Sequence, residues 1–164
     1  VVDPGSLQLH DSIYDAAYAE EHFLSYDTPE GGLAGYLRLS LPAPQDTIPA
    51  DLKSRGWIDF PDLQGAAIIR EVHIYGQSLP VGEEQAGAAQ HVGLGTALLD
   101  RAQQIALQKG FKKLAVISAI GTRRYYAGRG FFSGELYMVK SLGGEPDLMS
   151  SRTPKVLTGT LSGQ

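Results

Sequence analysis

The chain has 164 residues, of which 43% are hydrophobic and 20% are charged, which is typical of one soluble globular domain with a buried core. The net charge of −4 gives no overall basic character, so composition alone does not indicate a nucleic-acid-binding protein. The chain contains no cysteine, which excludes disulfides, thiolate zinc sites, a cysteine nucleophile and a cysteine-ligated iron–sulfur cluster within it. No apolar run approaches ~18 residues and no signal pattern opens the chain, so we expect a cytoplasmic protein without a membrane partner.

The first part of the chain predicts a poorly structured segment followed by a β-hairpin. Residues 1–21 begin with Asp-Pro-Gly and continue as a weakly amphipathic stretch, which predicts a linker or a helix. Two strand-like runs follow at 22–26 and 33–41, and the turn-rich residues 27–32 between them predict a hairpin. In the second run the apolar residues alternate and face one way: Leu37, Leu39 and Leu41.

The middle of the chain predicts a loop, a strand, a second loop and a helix. Residues 42–64 contain four prolines and the only tryptophan, which indicates a loop insertion. The run 66–75 is rich in β-branched residues and predicts a strand, whereas the glycine-rich residues 76–89 predict a mobile loop insertion. Residues 96–109 predict a helix that Gly110 ends and that buries one apolar stripe, made of Leu98, Leu99, Ala102, Ile105 and Ala106.

The remaining residues complete an α/β domain with a mixed sheet. Residues 114–118 predict a short buried strand, 121–129 a short helix, and 131–142 a last strand region. Residues 143–164 are rich in Ser, Thr, Gly and Pro, which predicts a flexible tail. We therefore expect one folded domain over residues 22–142, in which a right-handed β-α-β crossover carries a ligand-binding turn.

Gly93 and Gly95 form this turn, directly before the predicted helix. The first N–H groups of a helix have no partner within it, and the helix dipole adds partial positive charge there, so the position suits a phosphate or a pyrophosphate. Glycine also lets phosphate oxygens approach the backbone closely. The same pattern occurs as a simple tight turn, and both interpretations remain open at this point.

A dinucleotide-binding fold is the obvious rival, and the sequence argues against it. The third glycine of that fingerprint would fall at Leu98, and the acidic ribose ligand expected about 20 residues on falls near Lys113. The glycines also lie more than halfway along the chain rather than after a first strand. We therefore do not expect NAD binding.

The segment Gln90-x-x-Gly93-x-Gly95 and the order of elements around it resemble the GCN5-related N-acetyltransferase (GNAT) family. The signature of that family, Gln/Arg-x-x-Gly-x-Gly/Ala, holds the pyrophosphate of acetyl-CoA, and its fold is a mixed, mostly antiparallel sheet flanked by helices. Further segments narrow the resemblance to the C-terminal acetyltransferase domain of the Elp3 family over roughly residues 18–142: 23–26 (FLSY), 35–39 (GYLRL), 70–76 (REVHIYG), 115–126 (AVISAIGTRRYY) and 137–140 (YMVK).

The resemblance implies an activity and a missing domain. Full-length Elp3 proteins join a radical S-adenosylmethionine domain, which holds a [4Fe-4S] cluster, to this acetyl-CoA-binding domain, and together they start the carboxymethyl group at C5 of the wobble uridine 34 of tRNA. Because this chain has no cysteine and begins at Val1 rather than methionine, we expect the acetyl-CoA half alone, binding neither S-adenosylmethionine nor the cluster. The expected partners are acetyl-CoA, tRNA through the full-length protein, the missing radical domain and, in eukaryotes, other Elongator subunits.

The resemblance also assigns roles to residues. Glu71, Val72, His73 and Ile74 match the strand whose backbone binds the pantetheine arm as a neighbouring strand would. Tyr126 matches the tyrosine near the thioester sulfur, where a phenol can hydrogen-bond or protonate the departing thiolate. The pyrophosphate turn is matched by Gln90, His91, Gly93, Leu94, Gly95 and Thr96. Because Val92 and Leu94 are neutral, phosphate affinity is expected to come from backbone amides.

Several of these residues also have structural interpretations. Tyr125 and Tyr126 are adjacent, face different sides and could both be core aromatics. His73 could be a hydrogen-bonded structural histidine. Glu71 could be a catalytic base that activates an amine or water, or it could pair with Arg70 or another cation.

Three functions compete at this stage. The favoured one is acetyl-CoA binding for tRNA uridine modification. The second is a free-standing GNAT acetyltransferase that acts on a protein lysine or a small amine, and the third is a non-catalytic interaction module. No acidic residue is clearly poised as the base that a lysine acetyltransferase needs, and a purely structural module would not need Gly93 and Gly95 beside the segment of Tyr126. We therefore favour the first.

Overall fold

The computed structural model describes residues 4–53, 60–75 and 86–143, with the backbone alone for residues 4, 52–53 and 86–92. The strands are β1 (Gln8–Ala16), β2 (Ala19–Asp27), β3 (Leu33–Pro42), β4 (Ala66–Ile74), β5 (Lys113–Ile117), β6 (Phe132–Ser133) and β7 (Tyr137–Ser141). The α-helices are α1 (Ala50–Lys53), α2 (Ala86–Gln108) and α3 (Arg123–Ala127), and short 3₁₀ turns lie at Pro4–Ser6, Gln45–Thr47, Pro61–Leu63 and Ile120–Thr122.

In the described part of the chain the strands form one seven-stranded sheet in the order β1-β2-β3-β4-β5-β7-β6. The β4–β5 pair is parallel and the other pairs are antiparallel, so the sheet is mixed and mostly antiparallel. Helix α2 connects the two parallel strands, as the predicted β-α-β crossover requires. The predicted fold class is confirmed.

The structure corrects the helix or linker predicted over residues 1–21. Residues 8–16 instead form β1, which pairs with β2 from Gln8 opposite Asp27 to Ala16 opposite Ala19. Nearly every residue of β1 is exposed, because β1 is the edge strand, so the sequence shows no buried alternation there. The hairpin turn at Ala17 and Tyr18 also lacks the glycine or asparagine that usually marks such turns.

The predicted β2–β3 hairpin and the strand at 66–75 are confirmed. The three alternating leucines of β3 face the core and are almost completely buried, as are Leu24 on β2 and Ile69 on β4. Their burial places the main core on the face of the sheet that α2 covers. At the hairpin turn Gly31 has a φ of 81°, a backbone conformation that glycine adopts without steric cost.

Helix α2 buries the predicted stripe, and it starts earlier than predicted. Leu98, Leu99, Ala102, Ile105 and Ala106 are all at most 5% exposed. Gly110, with a φ of 87°, ends the helix, since its N–H donates to the Leu107 carbonyl and the N–H of Phe111 donates to the Ala106 carbonyl. The helix begins at Ala86 rather than at Thr96, so residues 86–89 of the predicted loop are helical, and residues 76–85 lie outside the description.

In the C-terminal part of the chain, the structure has the predicted elements in the predicted order, but their bounds and types differ. The predicted helix at 121–129 is a 3₁₀ turn followed by α3, and the predicted last strand region is the β6–β7 pair. The predicted tail beyond Gly143 lies outside the described residues. Within the described part of the chain, no helix is both long enough and apolar enough to cross a membrane.

The segment around the third 3₁₀ turn covers part of the other face of the sheet. Asp62 is 9% exposed and accepts hydrogen bonds from the backbone N–H groups of Leu136 and Tyr137 at 2.8 and 3.1 Å. Lys113 on β5 donates to the Pro61 carbonyl at 3.0 Å. These contacts fasten the loop between β3 and β4 to β5 and β7.

Candidate functional site

Strands β4 and β5 run together for only part of their length. They pair from Ala66 opposite Lys113 to Ile69 opposite Val116, after which β4 continues to Ile74 while β5 ends at Ile117. The 71–74 stretch of β4 pairs with β3 on one edge, and no described strand pairs with its other edge. An extended ligand with amide groups can hydrogen-bond to such an edge as an added strand would.

A β-bulge lies at the point where this open edge begins. Arg38 of β3 faces Glu71, whereas the next residue, Leu39, faces Ile69, so Arg70 is the extra residue on β4. Bulges bend a strand and re-aim its side chains, and they are frequent beside functional sites. Beyond the bulge, Val72 and Ile74 pack against the core that α2 covers.

The side chain of His73 belongs to a row of stacked rings on the opposite face. Its ring lies 5.1 Å from that of Tyr36 at an interplanar angle of 20°, and Tyr36 stacks on Phe23 at 5.0 Å. This contact supports a structural role for the imidazole. Because the N–H of Tyr75 donates to the Ala34 carbonyl, the alternation of an antiparallel pair directs the backbone groups of His73 to β3 and those of Val72 and Ile74 to the open edge.

The carboxylate of Glu71 is paired with a cation, which is Arg38 rather than the neighbouring Arg70. Arg38 Nη1 lies 3.6 Å from Glu71 Oε1, while Arg70 Nη1 instead lies 3.6 Å from Glu21 Oε1. Desolvation, together with the hydrogen bond to Glu71, raises the pKa of Tyr36. A carboxylate held by a cation and a phenol is poorly prepared to remove a proton, so the geometry does not favour Glu71 as a general base.

The glycine segment lies inside α2. In an α-helix each N–H donates to the carbonyl four residues earlier, so a helix that begins at Ala86 uses the N–H groups of residues 93–96 internally. The free-amide turn predicted from the sequence is therefore not present in this form. The side chains of Gln90 and His91 lie outside the description, and Leu94 is partly buried.

Gly95 and Gly93 have different surroundings. A Cβ on Gly95 would lie 2.6 Å from the Tyr125 hydroxyl oxygen and 3.7 Å from Ile74 Cγ1, so the absence of a side chain lets α2 approach β4 and α3. A Cβ on Gly93 would have no neighbour within 4 Å in the described structure. Gly95 is therefore required by packing, and Gly93 leaves open space beside the helix.

The two adjacent tyrosines of α3 face different environments, as expected. Tyr126 is 8% exposed, and its ring meets those of Tyr125 and Phe131 edge-on, with centroids 5.2 and 5.5 Å away. Burial raises the pKa of Tyr126, and the neighbouring Tyr125 acts in the same direction while Arg129 opposes it. The phenol of Tyr126 thus keeps its proton at neutral pH and can act as a donor.

Arg129 completes the site, although it belongs to none of the motifs that the sequence shows. Its guanidinium carbon lies 3.5 Å from the centroid of the Tyr125 ring. Nε and Nη2 both donate to Thr96 Oγ1, at 3.2 and 2.8 Å, and Nη1 donates to the Tyr125 carbonyl at 2.9 Å. Thr96 and Arg129 are 33 residues apart, so no local pattern could have joined them.

A large cavity in the described part of the chain lies elsewhere. Its volume is about 1210 Å³, and its described lining contains none of the predicted site residues; it includes Tyr18, Glu21, Ser40, Ile68 and Arg70. It lies toward the β1–β2 turn, at the other end of β4 from the open edge. Cavity size alone therefore does not locate the predicted cofactor site.

Comparison with known proteins finds relatives over most of the chain. Elongator complex protein 3 from Danio rerio is 40% identical over 143 residues, which are 86% of this chain and 24% of the relative. The Homo sapiens protein of the same name is 36% identical with the same coverage. The tRNA uridine(34) acetyltransferase of Dehalococcoides mccartyi is 36% identical over 79% of this chain and 26% of the relative. This chain thus spans about a quarter of the length of the curated relatives it matches.

Comparison with solved structures also finds similarity to Elp3. A solved structure of archaeal Elp3 from Methanocaldococcus infernus, with an N-terminal deletion, matches with a TM-score of 0.63 and 26% identity, covering 87% of this chain and 31% of that one. No protein-family model matches the chain. Because the likeness to Elp3 holds in sequence and in fold over most of the described domain, the chain belongs to the Elp3 family, and its mixed, mostly antiparallel sheet is the one expected of a GNAT fold.

Proposed function

We propose that this chain is the acetyl-CoA-binding domain of an Elp3-like enzyme that supplies the acetyl group for carboxymethyl modification at C5 of uridine 34 in tRNA. The observation that carries the proposal is the open edge of β4 at residues 71–74 beside the α2–α3 contact, in a chain 36% identical to a tRNA uridine(34) acetyltransferase. The domain works in the cytoplasm, without a membrane partner.

The stretch Glu71, Val72, His73 and Ile74 would hold the pantetheine arm, through the backbone groups of Val72 and Ile74 that face the open edge. The unpaired edge offers N–H and C=O groups at the spacing of a strand, and pantetheine carries amides that can pair with them. The side chains of Val72 and Ile74 face the core, so they hold the strand in position rather than contact the arm.

The pyrophosphate would lie at the segment from Gln90 to Thr96. Holding phosphates with backbone amides requires that α2 begin at this segment, with the N–H groups of residues 93–96 released from their internal bonds. Glycine makes that change easier, since a glycine inside a helix costs about 1 kcal/mol relative to alanine. Cofactor binding would then be coupled to unwinding of residues 86–92.

Tyr126 would donate a proton to the departing thiolate of CoA. Its raised pKa keeps the phenol protonated at neutral pH, which is the state that a general acid needs. The acetyl acceptor would be water, which forms the new C–O bond of acetate as the C–S bond breaks; the phenol proton passes to the CoA thiolate and the attacking water releases a proton that restores the phenol. The chain offers no cysteine as a protein nucleophile. S-adenosylmethionine, the [4Fe-4S] cluster and most of the tRNA contacts would belong to the rest of a full-length protein, with other Elongator subunits in eukaryotes.

Labelled acetyl-CoA distinguishes this function from a free-standing lysine or amine acetyltransferase. The chain alone should hydrolyse acetyl-CoA slowly and should not label a histone-like basic peptide. The domain within a full-length enzyme should release acetate when tRNA is added. Tyr126→Phe, which keeps the ring and removes only the hydroxyl, should lower that release about 10²-fold or more without unfolding the domain.

Tyr14→Phe is the matched control, since Tyr14 is 46% exposed on the edge strand β1 and remote from α3. It should leave acetate release unchanged. Rapid peptide labelling by the chain alone would overturn the tRNA function in favour of the lysine acetyltransferase. Equal release by the wild type and Tyr126→Phe would remove Tyr126 from the mechanism.

A further inference from the structure

We propose that Arg129 is a cofactor-binding residue that supplies the positive charge for the phosphates of acetyl-CoA, a charge that the glycine segment itself lacks. The inference rests on the proposed function, because it presupposes that acetyl-CoA binds beside α2. It adds Arg129 to the cofactor site and gives that site a source of phosphate affinity outside the Gly-x-Gly pattern.

The segment that would receive the pyrophosphate is almost neutral. Residues 90–96 read Gln-His-Val-Gly-Leu-Gly-Thr, and the first arginine or lysine of α2 is Arg101. Backbone amides and a helix dipole alone contribute partial charges, whereas a pyrophosphate carries full negative charges. A cation from another element of the fold would therefore strengthen binding.

Arg129 is held next to this segment by three neutral contacts. Two go to Thr96 Oγ1 and one to the Tyr125 carbonyl, and the guanidinium also lies over the Tyr125 ring. A guanidinium has five N–H groups, so two of them have no acceptor among the described residues and can bind a ligand. The contacts also restrict the side chain before any ligand arrives, which lowers the entropy lost on binding.

The charge of Arg129 is not balanced by a carboxylate within the described structure. Arg38 pairs with Glu71 and Arg70 pairs with Glu21, whereas none of the ion pairs among the described residues includes Arg129. A partly buried arginine that is fixed in place and lacks an acidic partner is suited to an anionic ligand.

The competing explanation is that Arg129 only holds Tyr125 in position. Two ligands that differ in their phosphates distinguish this structural role from phosphate binding. S-acetyl-pantetheine has the thioester and the pantetheine arm of acetyl-CoA without any phosphate. Arg129→Met should weaken acetyl-CoA binding about tenfold or more, measured by calorimetry, and should leave S-acetyl-pantetheine binding unchanged. Arg124→Met, which changes an exposed arginine of the adjacent helix α3, should change neither affinity.

Two further measurements keep the test decisive if Arg129→Met folds poorly. Arg129→Lys keeps the charge and should retain most of the preference for acetyl-CoA over S-acetyl-pantetheine. In the wild type, added NaCl should weaken acetyl-CoA binding more than S-acetyl-pantetheine binding. Loss of that preference in Arg129→Lys, or equal salt dependence of the two ligands, would overturn the proposal.

The remaining outcomes are also distinct. If Arg129→Met loses the same affinity for both ligands, Arg129 only supports Tyr125 and the proposal is overturned. If Arg129→Met loses affinity for neither ligand, the proposal is also overturned. If the folded wild-type chain binds neither ligand, the proposed function itself fails. A wild type that binds acetyl-CoA while Arg129→Met binds it equally well removes only the role of Arg129.

Discussion

On the face of the sheet that α2 covers, the side chains of β2, β3 and β4 are apolar and almost fully buried, whereas the opposite face carries charged and aromatic side chains. Leu24, Leu37 and Ile69 are 0% exposed on the first face. On the second face Glu21 contacts Ser40 and Arg70, and Asp62 is held by backbone N–H groups. One face is therefore held by apolar packing and the other by specific polar contacts.

This difference explains why the sequence predicts the contacts of the apolar face but not those of the polar face. Apolar packing leaves a period of two in a strand and 3.6 in a helix, which any window of the sequence shows. Polar contacts join residues far apart in the chain, as in the Ser40–Glu21 hydrogen bond across 19 residues and the Leu136–Asp62 bond across 74. Substitutions on the two faces should therefore differ in how much stability they remove.

The largest loss of stability is expected from a substitution on the face of the sheet that α2 covers. Leu37→Ala should lower the free energy of unfolding by about 2–5 kcal/mol, because it leaves a cavity at a fully buried position between Leu24 and Val72. Urea denaturation measures the change. Leu9→Ala on the edge strand, where the side chain is 38% exposed, is the control and should cost less than ~1 kcal/mol. Similar costs at the two positions would contradict the assignment of the core to this face.

An intermediate effect is expected from the buried carboxylate on the other face. Asp62→Asn should cost about 1–3 kcal/mol near neutral pH, because the carboxylate accepts the N–H groups of Leu136 and Tyr137. Asp46→Asn, at an exposed position, should have no effect. Chemical denaturation of both variants measures the difference, and an Asp62→Asn protein as stable as the wild type would show that the carboxylate does not fasten the loop.

The same residue predicts a pH dependence. Burial tends to raise the pKa of Asp62, but the N–H groups of Leu136, Tyr137 and Glu135 and the charge of Lys113 outweigh it, so the pKa is lowered from 3.8. A lowered folded-state pKa means that the stabilisation is complete above pH 3.8 and is lost as the pH falls through the folded-state value. The gap between wild type and Asp62→Asn should therefore shrink in that acidic range and stay constant from pH 5 to 8.

The smallest effect is expected from the half-exposed ion pair. The side chains of Arg38 and Glu71 are 37% and 36% exposed, and their closest atoms are 3.6 Å apart, so the pair should contribute less than ~1 kcal/mol. A double-mutant cycle with Arg38→Met and Glu71→Gln, repeated at high salt, measures the coupling. A coupling above ~2 kcal/mol that resists salt would mean that this face is much less hydrated than its exposure indicates.

Most of the fold could be predicted, and the exceptions have physical causes. β2, β3, β4 and the stripe of α2 each bury one face, so their periodicity was visible. β1 buries almost nothing, and its strand conformation depends on pairing with β2. The start of α2 was placed too late because Gly93 and Gly95 disfavour helix, whereas the structure uses the small size of Gly95 for contact with Tyr125.

The candidate site was only partly predictable. The order of segments located β4, the glycines and Tyr126, but it could not show that Glu71 pairs with Arg38 instead of its neighbour Arg70. That pairing depends on the register between β3 and β4, including the bulge at Arg70. Arg129 was missed for a similar reason, since only the tertiary fold brings α3 and the following residues to Thr96.

Calorimetric titration with acetyl-CoA of the wild type, Gly93→Asp and Gly93→Ala tests the central claim most directly. A side chain at Gly93 meets no described atom within 4 Å, so both variants should fold, whereas a carboxylate there would repel the phosphates. The account predicts one saturable site in the wild type and much weaker binding in Gly93→Asp than in Gly93→Ala. No binding by the folded wild type, or equal binding by the two variants, would contradict it.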